Sequence, residues 1–138
     1  MLARPASALP AQYRISFSLR LKDLSASGDF AASDGTQANY VRGGEVPAES
    51  VTASGKTVEF KKEGVIVDCI PSGRPGGLVA LQCQFEISGP MAPVTDFKIR
   101  PVETFQCQAE VLLRPGVRRV QVDDPDRRVE VGVEKVAL

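Results

Sequence analysis

Histidine and tryptophan are both absent from this 138-residue chain. Without histidine the chain lacks the usual general base near neutral pH and the commonest metal ligand. Neither a Ser-His nor a Cys-His nucleophilic pair can be built. With no tryptophan, six phenylalanines and two tyrosines, a stacking platform for bases or sugars would rest on very few rings. An excess of either charge is missing too: 17 Lys and Arg stand against 17 Asp and Glu, a net charge of +0. That removes the long-range attraction expected of a nucleic-acid or anionic-membrane binder. No stretch approaches the roughly 20 continuous apolar residues of a membrane-spanning helix. Met1-Leu2-Ala3-Arg4-Pro5 has no apolar run of a secretory signal. This leaves a cytoplasmic protein, or a mature exported segment carrying an added start Met.

What is present is ordinary for a folded domain: 43% hydrophobic and 25% charged residues, too apolar for disorder and the length of one domain. Residues 1–12, rich in Ala and Pro, read as an N-terminal tail, and 13–138 as a single all-β domain. A period of two runs through most of the latter. From Tyr13 to Lys22 every odd position is apolar or aromatic and every even one polar, the pattern of a strand with one face on a core and one in water. The stretch 28–41 is weaker; Ser33, Asp34, Gly35, Thr36 and Gln37 suggest a hairpin joining two short, poorly anchored strands. Gly43, Gly44 and Pro47 then interrupt the pattern, so 43–55 is expected to be a loop.

Strong strand signals return at 57–61 and 65–70, followed by a Gly- and Pro-rich loop at 71–77. Val79, Leu81, Cys83, Phe85 and Ile87 share one face of the next strand, and 89–96 is expected to be another loop. Glu103, Phe105, Cys107, Ala109, Val111 and Leu113 share parity in a long strand over 102–113, which Arg114-Pro115-Gly116 ends in a tight turn. Strands over 117–122 and 129–136, joined at Asp124-Pro125-Asp126, complete the chain. No segment shows helical periodicity, and Val suits pleated, half-buried surfaces. The expectation is an all-β fold, an antiparallel β-sandwich or curled meander of about 7–9 strands with no significant helix.

Few residue groups invite chemistry. Three cysteines cannot form a complete internal disulfide framework. Cys83 and Cys107 each sit in Gln-Cys-Gln on an apolar strand face. They can form a disulfide if their strands are neighbours, or serve as two small buried hydrophobes; Cys69 reads as core. Zinc is disfavoured by the long spacings. Asp123, Asp124 and Asp126 lack the glycine and distal glutamate of a calcium loop and read as a solvated turn. Arg114, Arg118, Arg119, Arg127 and Arg128 gather near the last two turns as edge and solubility charges. Glycine pairs at 43–44 and 76–77 do not open helices, so phosphate-loop readings fail. No catalytic, cofactor-binding or metal site is expected, and the chain is read as a non-enzyme without a cofactor.

From about residue 43 to 122 the order of features resembles the β-domain of the secretins, outer-membrane channel proteins of bacterial type II and type III secretion and pilus systems. The resemblance is carried by Gly43 or Gly44 with Val46-Pro47, and by Glu63-Gly64-Val65-Ile66-Val67 running to Pro71. Gly77-Leu78-Val79-Ala80-Leu81-Gln82-Cys83 follows, then Val102-Glu103-Thr104 through Leu113 to Gly116. It implies an assembly or protein-interaction module of the cell envelope, periplasmic or outer-membrane associated. Its partner would be itself or another envelope protein, with no nucleic acid and no membrane-spanning helix. The alternative expectation is a β-sandwich that binds a small ligand, glycan or peptide through loops 43–55, 71–77 and 89–96, since loops carry function on rigid sheets.

Overall fold

The structure, a computed structural model, describes residues 10–90 and 102–136, without the side chains of 45–52, 57 and 59–62. Eight strands lie among the described residues: β1 (Gln12–Leu21), β2 (Leu24–Ser33), β3 (Ala38–Thr52), β4 (Gly55–Gly73), β5 (Val79–Pro90), β6 (Val102–Leu113), β7 (Arg118–Asp123) and β8 (Arg127–Val136). They form two four-stranded sheets, a terminal sheet in the order β2-β1-β8-β7 and a central sheet in the order β3-β4-β5-β6. Every pairing is antiparallel. The one helical element among the described residues is a single 3-10 turn, Pro75–Gly77. The fold is all-β, as the alternation predicts.

Period-two patterning sets which faces meet. Tyr13, Ile15, Phe17, Leu19 and Leu21 of β1 and Val129, Val131 and Val133 of β8 are buried. So are Val65, Val67 and Cys69 of β4, and Val79, Leu81, Cys83, Phe85 and Ile87 of β5. Together with Phe105, Val111 and Leu113 of β6 they form one hydrophobic cluster between the sheets. Each large apolar side chain so buried contributes about 1.5–3 kcal/mol relative to exposure. Among the described residues no buried side-chain polar atom lacks a partner.

Turn chemistry decides where the chain changes sheet. Arg114-Pro115-Gly116-Val117 carries it from β6 back to the terminal sheet. Gly116 holds φ +89, the left-handed value a type II turn requires at that place; the Val117 amide donates to the Arg114 carbonyl at 3.1 Å. The small polar stretch at 34–37 is a turn too, but not the expected hairpin. β2 pairs with β1 and β3 with β4, so the turn crosses between sheets. It is fastened by the Asp34 amide to the Ala11 carbonyl, the Gly35 amide to the Pro71 carbonyl and the Gly73 amide to Asp34 Oδ1. A two-residue turn at Lys22-Asp23 joins β1 to β2. It places the non-glycine Lys22 at φ 53, held by its amide to the Asp126 carbonyl at 2.6 Å and its Nζ to Glu103 Oε1 at 2.6 Å.

Two further expectations are corrected. Residues 43–55 are not a loop: the backbone continues β3 to Thr52 and returns as β4 from Gly55 in unbroken register. Glycine and proline weaken a strand signal, but cross-strand backbone pairing sustains the ribbon. Cys83 pairs with Cys69, not with Cys107. Cys69 and Cys83 are directly opposed in register, with Cα atoms 4.2 Å apart. Cys107 lies opposite Phe85, and Cys83 opposite Ala109. That leaves Cys83 and Cys107 on a diagonal of about 7–8 Å, beyond a disulfide's ordinary span. Cys107 is a free, half-buried thiol.

Candidate assembly interface

The three loops expected to share a ligand do not converge. Gly73 pairs with Val79 at one end of the central sheet, so what remains of loop 71–77 turns there. The 43–55 segment ends in a hairpin tip at Ala53-Ser54 past the opposite end. Gly89 and Pro90 belong to β5 at that same far end, and 91–96 lies outside the described residues. Two depressions of ≈ 310 and ≈ 470 Å³ lie on the outward face of the central sheet, lined by groups such as Asp68, Gln82, Gln84, Gln106 and Gln108. Among the described residues no three His, Cys, Asp or Glu side chains are grouped to hold a metal ion.

Asp124 and Arg127, and Glu130 with Arg118 and Arg128, are engaged with one another. Asp124 Oδ1 accepts from the Asp126 and Arg127 amides at 3.0 and 2.7 Å, and Asp124 Oδ2 accepts from Arg127 Nε and NH2 at 3.0 and 2.9 Å. The Arg127 guanidinium holds the Asp124 carboxyl below its ordinary range and lies 5.2 Å from the Phe105 ring centroid. Arg128 and Arg118 both donate to Glu130 at 2.8 Å, and these bonds, led by that from Arg128, lower its pKa as well. Arg114 and Arg119 are exposed. This rim ties the β7–β8 turn, in keeping with the solvated-turn reading.

What the fold leaves available is strand edge, and the four edges differ. β7 is six residues long, begins with Arg118-Arg119 and carries an irregularity between Val120 and Val122; brevity, cations and bulges are how sheets blunt an edge. β2 runs ten residues in unbroken register with β1, also without lysine, proline or bulge; its Phe30 packs on the inner face with Tyr40, at the start of β3, which stands edge-on to Phe17 at 4.9 Å and 6.2 Å from Phe30. β6, in contrast to β7, runs twelve residues in unbroken register without lysine, proline or bulge. Leu112 on it is 47% exposed.

The Cα spacing of 4.2 Å between Cys69 and Cys83 is that of a non-hydrogen-bonded antiparallel pair. Cys83 therefore turns its amide and carbonyl toward β6, where it faces Ala109. By alternation along β6, positions 106, 108 and 110 direct their backbone groups to the open side. β3 is the opposite edge of the same sheet, and beyond Gly64 the β3–β4 pair has no third strand among the described residues. β5 pairs with β4 only from Gly64↔Ser88 to Gly73↔Val79, while β3–β4 pairing runs out to Thr52↔Gly55. A two-stranded ribbon standing alone in water is marginal.

At the ribbon's base two glycines face each other, Gly43 with φ +138 and Gly64. A Cβ on Gly64 would lie 2.5 Å from the Arg42 carbonyl oxygen, so the strands approach more closely there than side chains allow. A cleft of ≈ 410 Å³ opens beside this pair, lined among others by Leu24, Ala26, Arg42 and Glu63. Neither this ribbon nor the status of β6 as an edge was read from the sequence. The absence of lysine and proline in 102–113 was the available signal, and it acquires meaning only once strand order is known.

No protein-family model matches the sequence, and no curated protein matches it. Among solved structures the chain is similar to the InvG secretin-domain β-barrel of the Salmonella SPI-1 injectisome. The TM-score is 0.59 at 8% sequence identity, with 94% of this chain and 61% of that one covered. A second structure, of the Salmonella SPI-1 type III secretion injectisome secretin InvG, matches with the same TM-score and identity over 63% of its length. A third, of the Salmonella injectisome basal body proteins InvG, PrgH and PrgK, matches likewise over 45%. The chain thus spans about three-fifths of the first two InvG chains, and the likeness is one of fold. No helix among the described residues is long and apolar enough to cross a membrane. The chain has a secretin-like fold.

Proposed function

We propose that this chain is a non-catalytic, secretin-like assembly module of the bacterial cell envelope, in which copies join edge to edge through the central sheet. The observation that carries the reading is the contrast between an unguarded twelve-residue β6 and a β7 edge blunted by arginines and a bulge. Strand number supports a specific junction. Three successive antiparallel pairings make β6 run opposite to β3. A copy related by rotation about an axis along the strands would set its β3 antiparallel beside β6. Such a contact is heterologous and closes into a ring when the rotation closes. In the solved secretin neighbours the corresponding fold is a β-barrel domain, consistent with that arrangement.

A second observation supports the compartment. The Cys69–Cys83 disulfide is of a kind that persists in oxidising compartments, the bacterial periplasm among them. It favours a periplasmic or outer-membrane location. Light scattering after gel filtration, over a wide range of concentration, tests the assembly. A discrete oligomer is the expected result; a monomer at every concentration would overturn it. Assembly only in the presence of another envelope protein would assign the open edge to that protein in place of a second copy.

A further inference from the structure

Deepening the envelope reading on which it rests, we infer that Cys69 and Cys83 are a substrate pair for a dithiol–disulfide oxidant, which acts on the β4–β5 hairpin before the two sheets close. In the folded chain Cys69 is 0% and Cys83 2% exposed. Both belong to the cluster enclosed between the sheets, where a protein-sized disulfide donor has no access. On the open hairpin the situation differs. The two residues are 14 apart in sequence, and the register that folds β4 onto β5 around the 74–78 turn sets them directly opposite. Local pairing therefore brings the two thiols together without help from the terminal sheet.

The step balances as a thiol–disulfide exchange. One cysteine thiolate attacks the donor disulfide, forming a mixed disulfide and releasing one donor thiol. The second thiolate then attacks the sulfur of its partner cysteine and releases the other. Two protons and two electrons leave the chain and reduce the donor to its dithiol. Cys107 is the competing thiol, and the fold sets it aside. It faces Phe85 in place of Cys83, and its Sγ donates to the Gln108 carbonyl at 3.8 Å.

The test uses the full chain, reduced and unfolded, with oxidised glutathione as the probe. In one arm the chain is diluted to native conditions with oxidised glutathione present; in the other it folds first and receives oxidised glutathione afterwards. Each product is then unfolded, alkylated and mapped by mass. Oxidation during folding is expected to leave one alkylatable cysteine, Cys107, and a linked Cys69–Cys83 peptide. Oxidation after folding is expected to be slower by on the order of tenfold or more, because access limits exchange. A chain that fails to fold without oxidant also supports the order proposed. Three alkylatable cysteines in the first arm, a Cys83–Cys107 peptide, or equal rates in the two arms would overturn it. The solution mass, read in parallel, separates this inference from the assembly reading. A monomer with Cys69–Cys83 intact sinks only the assembly, whereas an oligomer carrying three thiols sinks only the oxidation.

Discussion

The two sheets have four strands each and share one core, yet they end differently. The terminal sheet is open, with β2 and β7 as its outer strands. One outer strand, β7, is short, bulged and arginine-bearing; the other, β2, is ten residues long and places Phe30 on the inner face with Phe17 and Tyr40. Among the described residues the central sheet leaves β6 without a second partner strand, and it sends β3 and β4 out beyond the reach of β5. Unpaired backbone groups along a flat edge are a template for another strand. The proposed assembly places its neighbour on the central sheet, whose β6 carries none of the devices that blunt β7.

The largest expected effect breaks both sheets together. Phe17 is 1% exposed and packs against both Phe30 and Tyr40. Phe17→Ala should cost about 3–5 kcal/mol in chemical denaturation, typical of an emptied aromatic site. Central and terminal strands should unfold in one transition, because they share the cluster. Separate transitions would show two cores. Next, Cys69→Ala with Cys83→Ala should cost about 3 kcal/mol, the scale expected for closing a loop of this length. A loss well below about 1 kcal/mol would mean that register alone holds β4 to β5.

A smaller change in stability with a decisive change in mass is expected from Gln108→Pro. The side chain is exposed and the residue's amide is directed to the open side of β6, so proline removes an edge donor without removing a bond to β5. The variant should stay folded and become monomeric. Arg119→Ala on the blunted edge should leave the mass unchanged; the reverse pattern would assign assembly to β7.

The smallest effect lies in the terminal sheet and depends on pH. Asp124 and Glu130 titrate below their ordinary range because Arg127 and, for Glu130, Arg128 and Arg118 bind their charged forms. A lowered folded-state pKa contributes stability above the unfolded value, and that contribution is lost as pH falls through the folded one. Thermal melts should weaken slightly in acid below the ordinary carboxylate range, and less steeply for Asp124→Asn. An identical acid slope for the two proteins would remove the turn from the account.

Much of the body is legible in the sequence, for a definite reason. β1 alternates throughout, and β5, β6 and β8 do so over most of their length; one face of each is buried in a common core, so burial enforces the period that sequence displays. The Arg114-Pro115-Gly116 turn is equally local: proline presets one dihedral and glycine supplies the other. The ribbon is not legible, because Gly43, Gly44 and Pro47 mark a break that backbone pairing with 55–64 overrides. Lys22-Asp23 escapes notice because a positive φ there falls on lysine, held from outside by Asp126 and Glu103. The disulfide partner of Cys83 depends on register, which only the meeting of β4 with β5 settles. Openness of β6 depends likewise on strand order, a property of the whole chain.

Amide hydrogen exchange of β6 in dilute and concentrated protein tests the account most directly. The account predicts that protection across 102–113, and across 38–52, rises with concentration while 118–123 stays unchanged. Exchange in β6 that is rapid and independent of concentration would contradict it.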